Sequence, residues 1–546
     1  MPTAFPLYSR PYRRAARSAL AALAATVCLF AGRPGEAAPA LALDAPSAAT
    51  VTVAATHVPT KRFTIAISAA GRVIGGSYAP FVVDTTGAET SGATEVSTRL
   101  SLSGHLDSNQ KFGVLQLEAQ VGLDIARGTV SGKETLAGDA MPGTTFDSYL
   151  PTDAWLGLRY SDKMLVRVGQ MTSSWGLGLI ANDGKGYMDA RQQDWFVRSE
   201  TGDRVMRALV LARPFAGTTS ALRGWIITGA IDRVVADDVL LQPDGQGANL
   251  WNDGRQEEAV QGIVATRFFV SKQSSFGLYY VYRDQEHKDG NWLKVHAVDA
   301  AADLHGKIGK NKLRIRGEAV LITGKTSLSA TPDFPEHDVR QAAIAAQGRL
   351  TMGRVRLEFD TAWLSGDNNF DDGTLTQFKA DPNYQLGLVL FPRVLGAWSG
   401  RSRLTASNPD VVGVPNEDLE RLATQGAVTS TMAFFPKIGV QLPFGLDIYG
   451  GALFAFAPTP VADPFHTKTS GGGVARNALN KPQGPSLGIE LDFGVRYTLA
   501  LPMQSALVIA AEYGLLLPGD ALAGLDANVH GGRLSLTFAP DFRDAK

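Results

Sequence analysis

Apolar and polar residues alternate one by one along most of the chain, in runs of about ten residues that are separated by turn residues. In the cleanest run, residues 487–499, every odd position is apolar and every even position is charged, polar or glycine. Successive side chains of a β-strand point to opposite faces, so each run predicts a strand with one apolar face. No helical pattern supplies a cover for these faces, and we therefore expect them to contact lipid.

The connections between the runs alternate between short and long. We expect short ones at 161–163, 271–274, 306–311, 352–353 and 501–504, and long ones near 126–153, 171–203, 233–258, 324–340, 365–383, 401–425, 458–485 and 518–529. Tight turns at one rim and long loops at the other are typical of bacterial outer-membrane barrels. The sequence thus predicts an all-β fold, a transmembrane antiparallel up-and-down β-barrel of about 18 strands, within a range of about 16–20. For residues 384–399 we expect one long strand or a hairpin turning at Pro392, and the parity of the connections favours the hairpin.

The N-terminal residues have the composition of a secretory signal peptide. Arginines at positions 10, 13, 14 and 17 precede an apolar stretch over residues 19–31, and small residues with plausible cleavage points at Ala38 and Ala40 follow. The apolar stretch is too short to span a bilayer. We predict a signal peptide over 1–40, a disordered periplasmic lead-in over 41–60, the barrel over 61–540 and a C-terminal tail over 541–546.

Cysteine content and charge narrow the classes of function. Cys28 is the only cysteine and lies in the predicted signal peptide, so the mature chain would have neither disulfides nor thiolate metal ligands. Without residues 1–40 the chain has 47 basic and 52 acidic residues, a balance that does not indicate nucleic acid as a partner.

The charged residues of the predicted strands alternate with the apolar ones and should therefore point into the barrel. A buried charge is costly unless it is paired or hydrated, so these residues must line water or pair with each other. Our candidates for the lumen and its selectivity are Arg167, Arg314, Arg316, Arg354, Arg356, Arg496, Glu118, Asp124, Glu358, Asp360, Glu490 and Asp492. We expect the four arginines of 314–316 and 354–356 to form a basic patch that faces an acidic wall of Glu118 and Asp124 and sets ion preference.

Residues 167–184, Arg-Val-Gly-Gln-Met-Thr-Ser-Ser-Trp-Gly-Leu-Gly-Leu-Ile-Ala-Asn-Asp-Gly, leave a predicted strand and enter a long loop. In this motif, and in architecture over roughly residues 60–540, the chain resembles large porin-like and alginate-export-like outer-membrane barrels. It looks most like a family of predicted barrels from myxobacteria and their relatives. The resemblance implies transport across the outer membrane without identifying a solute.

Two enzyme motifs occur without the context that they need. Gly176-x-Gly178-x-x-Ala181 fits the dinucleotide fingerprint loosely but follows no buried parallel strand. Gly484-x-Ser486-x-Gly488 has the spacing of a nucleophile elbow, but a long amphipathic strand follows instead of a helix. We therefore expect no enzyme, no catalytic residues, no cofactor and no metal site.

These observations predict a porin-like channel of the outer membrane that lets small hydrophilic or charged solutes diffuse passively through a charged lumen. One alternative is a structural or surface-attachment barrel with a plugged lumen. A second is an export channel for an anionic polysaccharide, for which the mixed lumen charge is less suitable than a basic one. The expected partners are outer-membrane lipid and lipopolysaccharide, the solutes and the barrel-assembly machinery; the solute and the oligomeric state stay open.

Overall fold

The computed structural model describes residues 63–90, 94–108, 115–131, 146–186, 194–197, 202–240, 257–328, 334–369, 372–406, 424, 426–471, 474–501 and 505–540. The predicted signal peptide, lead-in and C-terminal tail lie outside the described residues. The strands of the barrel are β1 (Phe63–Tyr78), β2 (Thr94–Ser108), β3 (Leu115–Ser131), β4 (Phe146–Tyr160), β5 (Met164–Thr172), β6 (Arg204–Ala212), β7 (Trp225–Ala236), β8 (Glu257–Phe269), β9 (Ser275–His287), β10 (Trp292–Ile308), β11 (Asn311–Thr326), β12 (His337–Met352), β13 (Val355–Leu364), β14 (Met432–Gln441), β15 (Leu446–Phe456), β16 (Ser486–Leu501), β17 (Ser505–Pro518) and β18 (Val529–Pro540).

These eighteen strands form a closed antiparallel barrel, which confirms the predicted fold class. Each strand pairs with its neighbours in the chain, and the circle closes where β1 pairs with β18, for example Val73 opposite Leu536. Each of the eighteen described strands is therefore paired on both sides, as strands in lipid must be if their backbone groups are not to be left without partners. One further strand of two residues, Thr374–Leu375, pairs in parallel with the start of β12.

The outer surface of the barrel is apolar along the strands. Phe359 and Phe493 are 45% and 58% exposed, whereas their neighbours Glu358 and Asp492 are 3% and 0% exposed. An apolar exterior with polar side chains inside is the arrangement of a transmembrane barrel. Among the helices in the described part of the chain, none combines the length and hydropathy that a membrane-crossing helix needs.

The alternation of the cleanest run breaks at its first residue. Ala455 pairs with Gly488 but Phe456 pairs with Ser486, so Leu487 is the extra residue of a β-bulge. The φ angle of Gly488 is +122°, which favours glycine, and Leu487 is fully buried inside the barrel. The expectation that Leu487 belongs to the lipid face is therefore wrong, because the bulge reverses its direction.

Residues 384–399 are neither a long strand nor a hairpin. They lie within the connection between β13 and β14, where a π-helix (Leu390–Leu395) continues into helix α1 (Gly396–Ala406). Leu390 and Phe391 are 0% exposed. This stretch is apolar on consecutive positions rather than on alternate ones, so it is suited to a site that is apolar on all sides and not to a wall between lipid and water.

Segments from one rim fold into the barrel and form an apolar cluster there. We call residues 173–186, 194–197 and 372–406 the inward segments. Their buried side chains pack on small wall residues in a cluster that includes Leu179, Phe196, Phe378, Leu390, Phe391, Trp398, Ala343, Ala433 and Ala455. Other short helices in the described residues are α2 (Pro464–Thr469) and the 3-10 turns Ala221–Gly224, Pro443–Gly445 and Asp520–Leu522.

Candidate functional site

Lumen-facing arginines from six strands meet one inward segment, residues 194–197, with the sequence Asp-Trp-Phe-Val. We call these arginines the arginine row. They are Arg72 on β1, Arg316 on β11, Arg349 on β12, Arg356 on β13, Arg496 on β16 and Arg533 on β18. Strands β11, β12 and β13 follow one another in the chain, whereas β1 and β18 are at its two ends and become neighbours because the sheet closes into a barrel.

The carboxylate of Asp194 is bound by two members of the row. The Nη2 group of Arg316 donates to Oδ2 at 2.9 Å, and the Nη2 group of Arg349 forms an ion pair with Oδ1. Burial alone would raise the pKa of Asp194, but the guanidinium groups of Arg316 and Arg349 outweigh burial and hold this pKa below its usual range. Asp194 is therefore charged at neutral pH.

The indole of Trp195 lies between an aromatic ring and a guanidinium. It stacks on Tyr449 with ring centroids 5.0 Å apart and planes 5° from parallel, and the Cζ atom of Arg356 lies 3.5 Å from its ring centroid. Gly439 makes room for this ring, since a Cβ atom there would come within 2.4 Å of the indole.

The backbone of the same segment is also held by the wall. The N–H of Phe196 donates to Glu512 at 3.2 Å, and the carbonyl of Val197 accepts from Arg72 at 3.3 Å and from Arg533 at 3.2 Å. Arg496 donates to the carbonyl of Asp194 at 3.4 Å. The wall thus binds the acid, the ring and the main chain of residues 194–197.

Solvent reaches part of this site. The side chains of Arg316, Arg349 and Arg356 are 19%, 13% and 20% exposed, and that of Asp194 is 25% exposed. All of them point away from the apolar exterior, so the solvent that contacts them lies inside the barrel.

Three other predicted residues lie near the row. Arg314 donates to Asp303 at 2.9 and 2.6 Å. Glu358 pairs with Arg349 at 2.5 Å, with Arg356 at 3.2 Å and with Lys437 at 3.2 Å, and Asp360 accepts from Lys437 at 2.6 Å. Arg354 differs from the prediction, because it lies in the tight turn between β12 and β13, where its side chain is exposed.

Glu118 and Asp124 on β3 do not form an open acidic wall. Glu118 accepts from Arg159 at 2.8 Å and from Arg167 at 2.7 Å, while Asp124 pairs with Arg99 at 3.1 Å. Glu118 is 2% and Asp124 0% exposed. We call these five residues the paired wall. Because arginines one or two strands away neutralise each acid, the expected contrast of a basic patch with an acidic wall is absent from this part of the barrel.

Glu490 and Asp492 lie fully buried beneath an inward segment. The carboxylate of Glu490 accepts the N–H groups of Leu388, of Val389 at 2.8 Å and of Leu390 at 2.7 Å, and it thereby holds the start of the π-helix.

Glu318 on β11 holds another inward segment in the same way. Its carboxylate accepts the N–H groups of Leu177 and, at 3.1 Å, of Leu179. The carboxylates of Glu490 and Glu318 therefore both hold inward segments, and their residues are 0% and 2% exposed.

The sequence-based selection missed part of the site. It did not include Arg72, Arg349, Lys437, Glu512 or Asp194. Alternate residues of β12 point into the barrel, and Arg349 lies two residues after the inward-facing Gln347. The alternating pattern could therefore have identified Arg349 as a lumen residue. Asp194 lies in a loop without periodicity, so no pattern could have assigned it to the arginines.

One group of three carboxylates comes together at the ends of β6 and β7. Oxygen atoms of Asp203, Asp238 and Asp381 lie within 4.8 Å of one another. Burial, and then the charge of Asp381, raise the pKa of Asp203 well above its usual value, and burial followed by the charge of Asp238 does the same for Asp381. Lys379 lies 3.9 Å from Asp238 and supplies some compensating positive charge.

No protein-family model matches the chain, and a search of curated proteins found no match. Among solved structures, the chain is similar to OccK2 (OpdF) of Pseudomonas aeruginosa in complex with glucuronate, at 11% identity over 87% of this chain and 98% of that one, with a TM-score of 0.46. OccAB1 of Acinetobacter baumannii is 12% identical over 89% of this chain and 98% of its own, with a TM-score of 0.47. A BenF-like porin from Pseudomonas fluorescens is 10% identical over 86% of this chain and 97% of its own, with a TM-score of 0.47. The resemblance to barrels of myxobacteria stays a prediction.

Proposed function

We propose that the protein is an outer-membrane channel that lets small hydrophilic solutes diffuse through the barrel along the arginine row. The observation that carries this proposal is the partial exposure of Arg316, Arg349, Arg356 and Asp194 inside a barrel whose exterior is apolar. Charged groups in such a place are stable when solvent or an opposite charge is beside them. These groups are ion-paired and partly exposed. A hydrated, charged path through a membrane wall is what a channel needs.

The size of the solutes follows from the contents of the barrel. An eighteen-strand barrel alone would be wide, but the inward segments fill much of the interior with the apolar cluster of Leu390, Phe391 and their neighbours. The path that remains beside the row therefore suits small solutes. Fixed charges in a narrow path with low-dielectric walls would influence which ions enter.

The outer-membrane location belongs to the same proposal. It is supported by the predicted signal peptide and by the apolar exterior of the strands. Contact with outer-membrane lipid and lipopolysaccharide, and insertion by the barrel-assembly machinery, would follow from this location.

The proposal is tested by reconstituting the mature protein in planar bilayers and recording single channels in potassium chloride. We expect discrete conductance steps. Replacing Arg316, Arg349 and Arg356 together by Gln should move the reversal potential in a salt gradient toward cation selectivity. This shift should shrink at 1 M salt, where the screening length falls to about 3 Å. Folded protein that produces no conductance would contradict the channel.

A barrel with a plugged lumen is the second candidate, and the packing of the inward segments is the observation that favours it. Phe391, Phe378 and Leu390 are at most 1% exposed, so these segments are not loosely attached to the wall. A complete lack of conductance together with a folded barrel would support a structural or surface-attachment role. Export of an anionic polysaccharide is less suited to this interior, because the apolar cluster of the inward segments occupies part of it and the charges on the wall are mixed and not uniformly basic.

A further inference from the structure

We infer that Asp194 determines the ion selectivity of this channel, because residues 194–197 occupy the arginine row as an internal ligand that is tethered to the chain. This inference rests on the proposed function, since selectivity has a meaning only where ions pass. Asp194 lies in the long connection between β5 and β6, where the sequence has no alternating pattern that would point to such a role.

The contacts of the segment are those of a bound ligand. Its carboxylate is held by Arg316 and Arg349, and its indole lies between Tyr449 and Arg356. Trp195 and Phe196 are 3% and 1% exposed, so the apolar part is buried against the wall while the carboxylate stays partly in solvent. An anion seated this way neutralises the positive charges beside the path.

The charge balance of the row shows why Asp194 is decisive. Arg349 has a second carboxylate partner in Glu358, and Arg533 is paired with Glu512 at 2.6 Å. The contacts of Arg316 among the described residues are different: besides Asp194, it donates to the neutral side chain of Gln347 at 2.9 Å. Asp303 lies opposite Arg316 on β10 but is bound by Arg314. Removing the charge of Asp194 would therefore leave Arg316 hydrogen-bonded to a neutral side chain and share Asp303 between two arginines.

The main test compares Asp194→Asn with the wild type and with the matched control Asp289→Asn. Asp289 is also a loop carboxylate, but its side chain is 78% exposed and it lies in the turn between β9 and β10. In bilayers at low salt we expect Asp194→Asn to raise the chloride-to-potassium permeability ratio severalfold and Asp289→Asn to leave it close to that of the wild type. If both variants give the same ratio, residues 194–197 do not set selectivity, and the inference is overturned.

A second measurement does not depend on conduction. The predicted mature chain has no cysteine, so Asp194→Cys and Asp289→Cys each introduce a single thiol. We expect Cys at position 194 to react faster with a negatively charged methanethiosulfonate reagent than with a positively charged one, relative to the same ratio at position 289, because the row attracts anions. Equal ratios, or a folded variant that reacts with neither reagent, would overturn the placement of position 194.

The two measurements separate the two proposals. Absence of conductance in the wild type, together with preferential labelling by the anionic reagent, would refute the channel and keep Asp194 in the arginine row. Conductance with equal labelling ratios would keep the channel and refute the role of Asp194. Heat-modifiable migration on a detergent gel verifies for each variant that the barrel has folded.

Discussion

Two walls of this barrel contain the same kinds of side chain and use them differently. On the paired wall, Glu118 meets Arg159 and Arg167, and Asp124 meets Arg99, with every partner on the wall one or two strands away and both acids almost fully buried. In the arginine row, the acid Asp194 comes from an inward segment, and its side chain is 25% exposed. The comparison teaches that an acid on the wall is buried among the arginines it neutralises, whereas an acid supplied by a loop stays partly in solvent, where under the proposed function it can act on passing ions.

The largest difference between the walls is expected in stability. Glu118→Gln would leave the guanidinium groups of Arg159 and Arg167 without their carboxylate, and breaking a buried ion pair from one side costs about 3–5 kcal/mol. Asp194→Asn removes one partner of a partly exposed ion pair and should lower the free energy of unfolding by about 1 kcal/mol or less. Urea unfolding in lipid vesicles measures both free energies. If both variants lose the same free energy of unfolding, the paired wall and the arginine row do not differ in this way.

The second difference is expected in selectivity, with arginines as the probe. Arg349→Gln should shift the reversal potential toward cation selectivity, since Arg349 lies in the row and is partly exposed. Arg167→Gln should destabilise the barrel but leave the reversal potential of the folded fraction unchanged, because Arg167 is buried against Glu118 and over the ring of Trp155. A shift of similar size at Arg167 would show that the paired wall also lines the path.

The third difference concerns the way in which the inward segments are held. Glu490→Gln would replace the carboxylate that accepts the N–H groups at the start of the π-helix by a weaker acceptor. We expect this change to loosen residues 388–390 and to lower the free energy of unfolding by about 1–3 kcal/mol. Limited proteolysis of the folded barrel should then cut the connection between β13 and β14 faster. The same change at Glu358, which contacts the row and not a backbone, should not increase cleavage there, and equal cleavage in both variants would contradict the anchoring role.

The smallest effect is expected at Asp203, Asp238 and Asp381, where acids outnumber bases. Burial, and then the charge of a neighbouring aspartate, raise the pKa of Asp203 and of Asp381 in the folded state; the neighbour is Asp381 for the first and Asp238 for the second. Between the usual pKa of an aspartate and the raised one, the folded protein binds more protons than the unfolded chain, so stability falls as pH rises through this window. Replacing both residues by Asn should flatten this slope and slightly stabilise the barrel at neutral pH, which unfolding curves at several pH values would measure. If stability depends on pH in the same way in the variant and in the wild type, Asp203 and Asp381 are not the source of this dependence.

The sequence by itself determined the barrel and the direction of most strand residues. Alternation is a local property of an extended backbone, so Phe359 and Phe493 could be assigned to lipid and Glu358 and Asp492 to the interior without knowledge of any partner. The number of strands followed from the same pattern and from the spacing of the turns. A bulge is the exception, because the reversed direction of Leu487 depends on the register with β15.

Only the tertiary structure decided which charges meet and where the long connections go. Arg349 and Asp194 are 155 residues apart, and Arg316 and Asp194 are 122 residues apart, so their contact depends on closure of the whole sheet and on the path of a loop. The apolar stretch at 384–399 could bury its side chains either as a wall strand or as a helix inside the barrel. The space inside the barrel and the carboxylate of Glu490 that binds its N–H groups exist only after the strands have closed, and they are the physical reason for the helix.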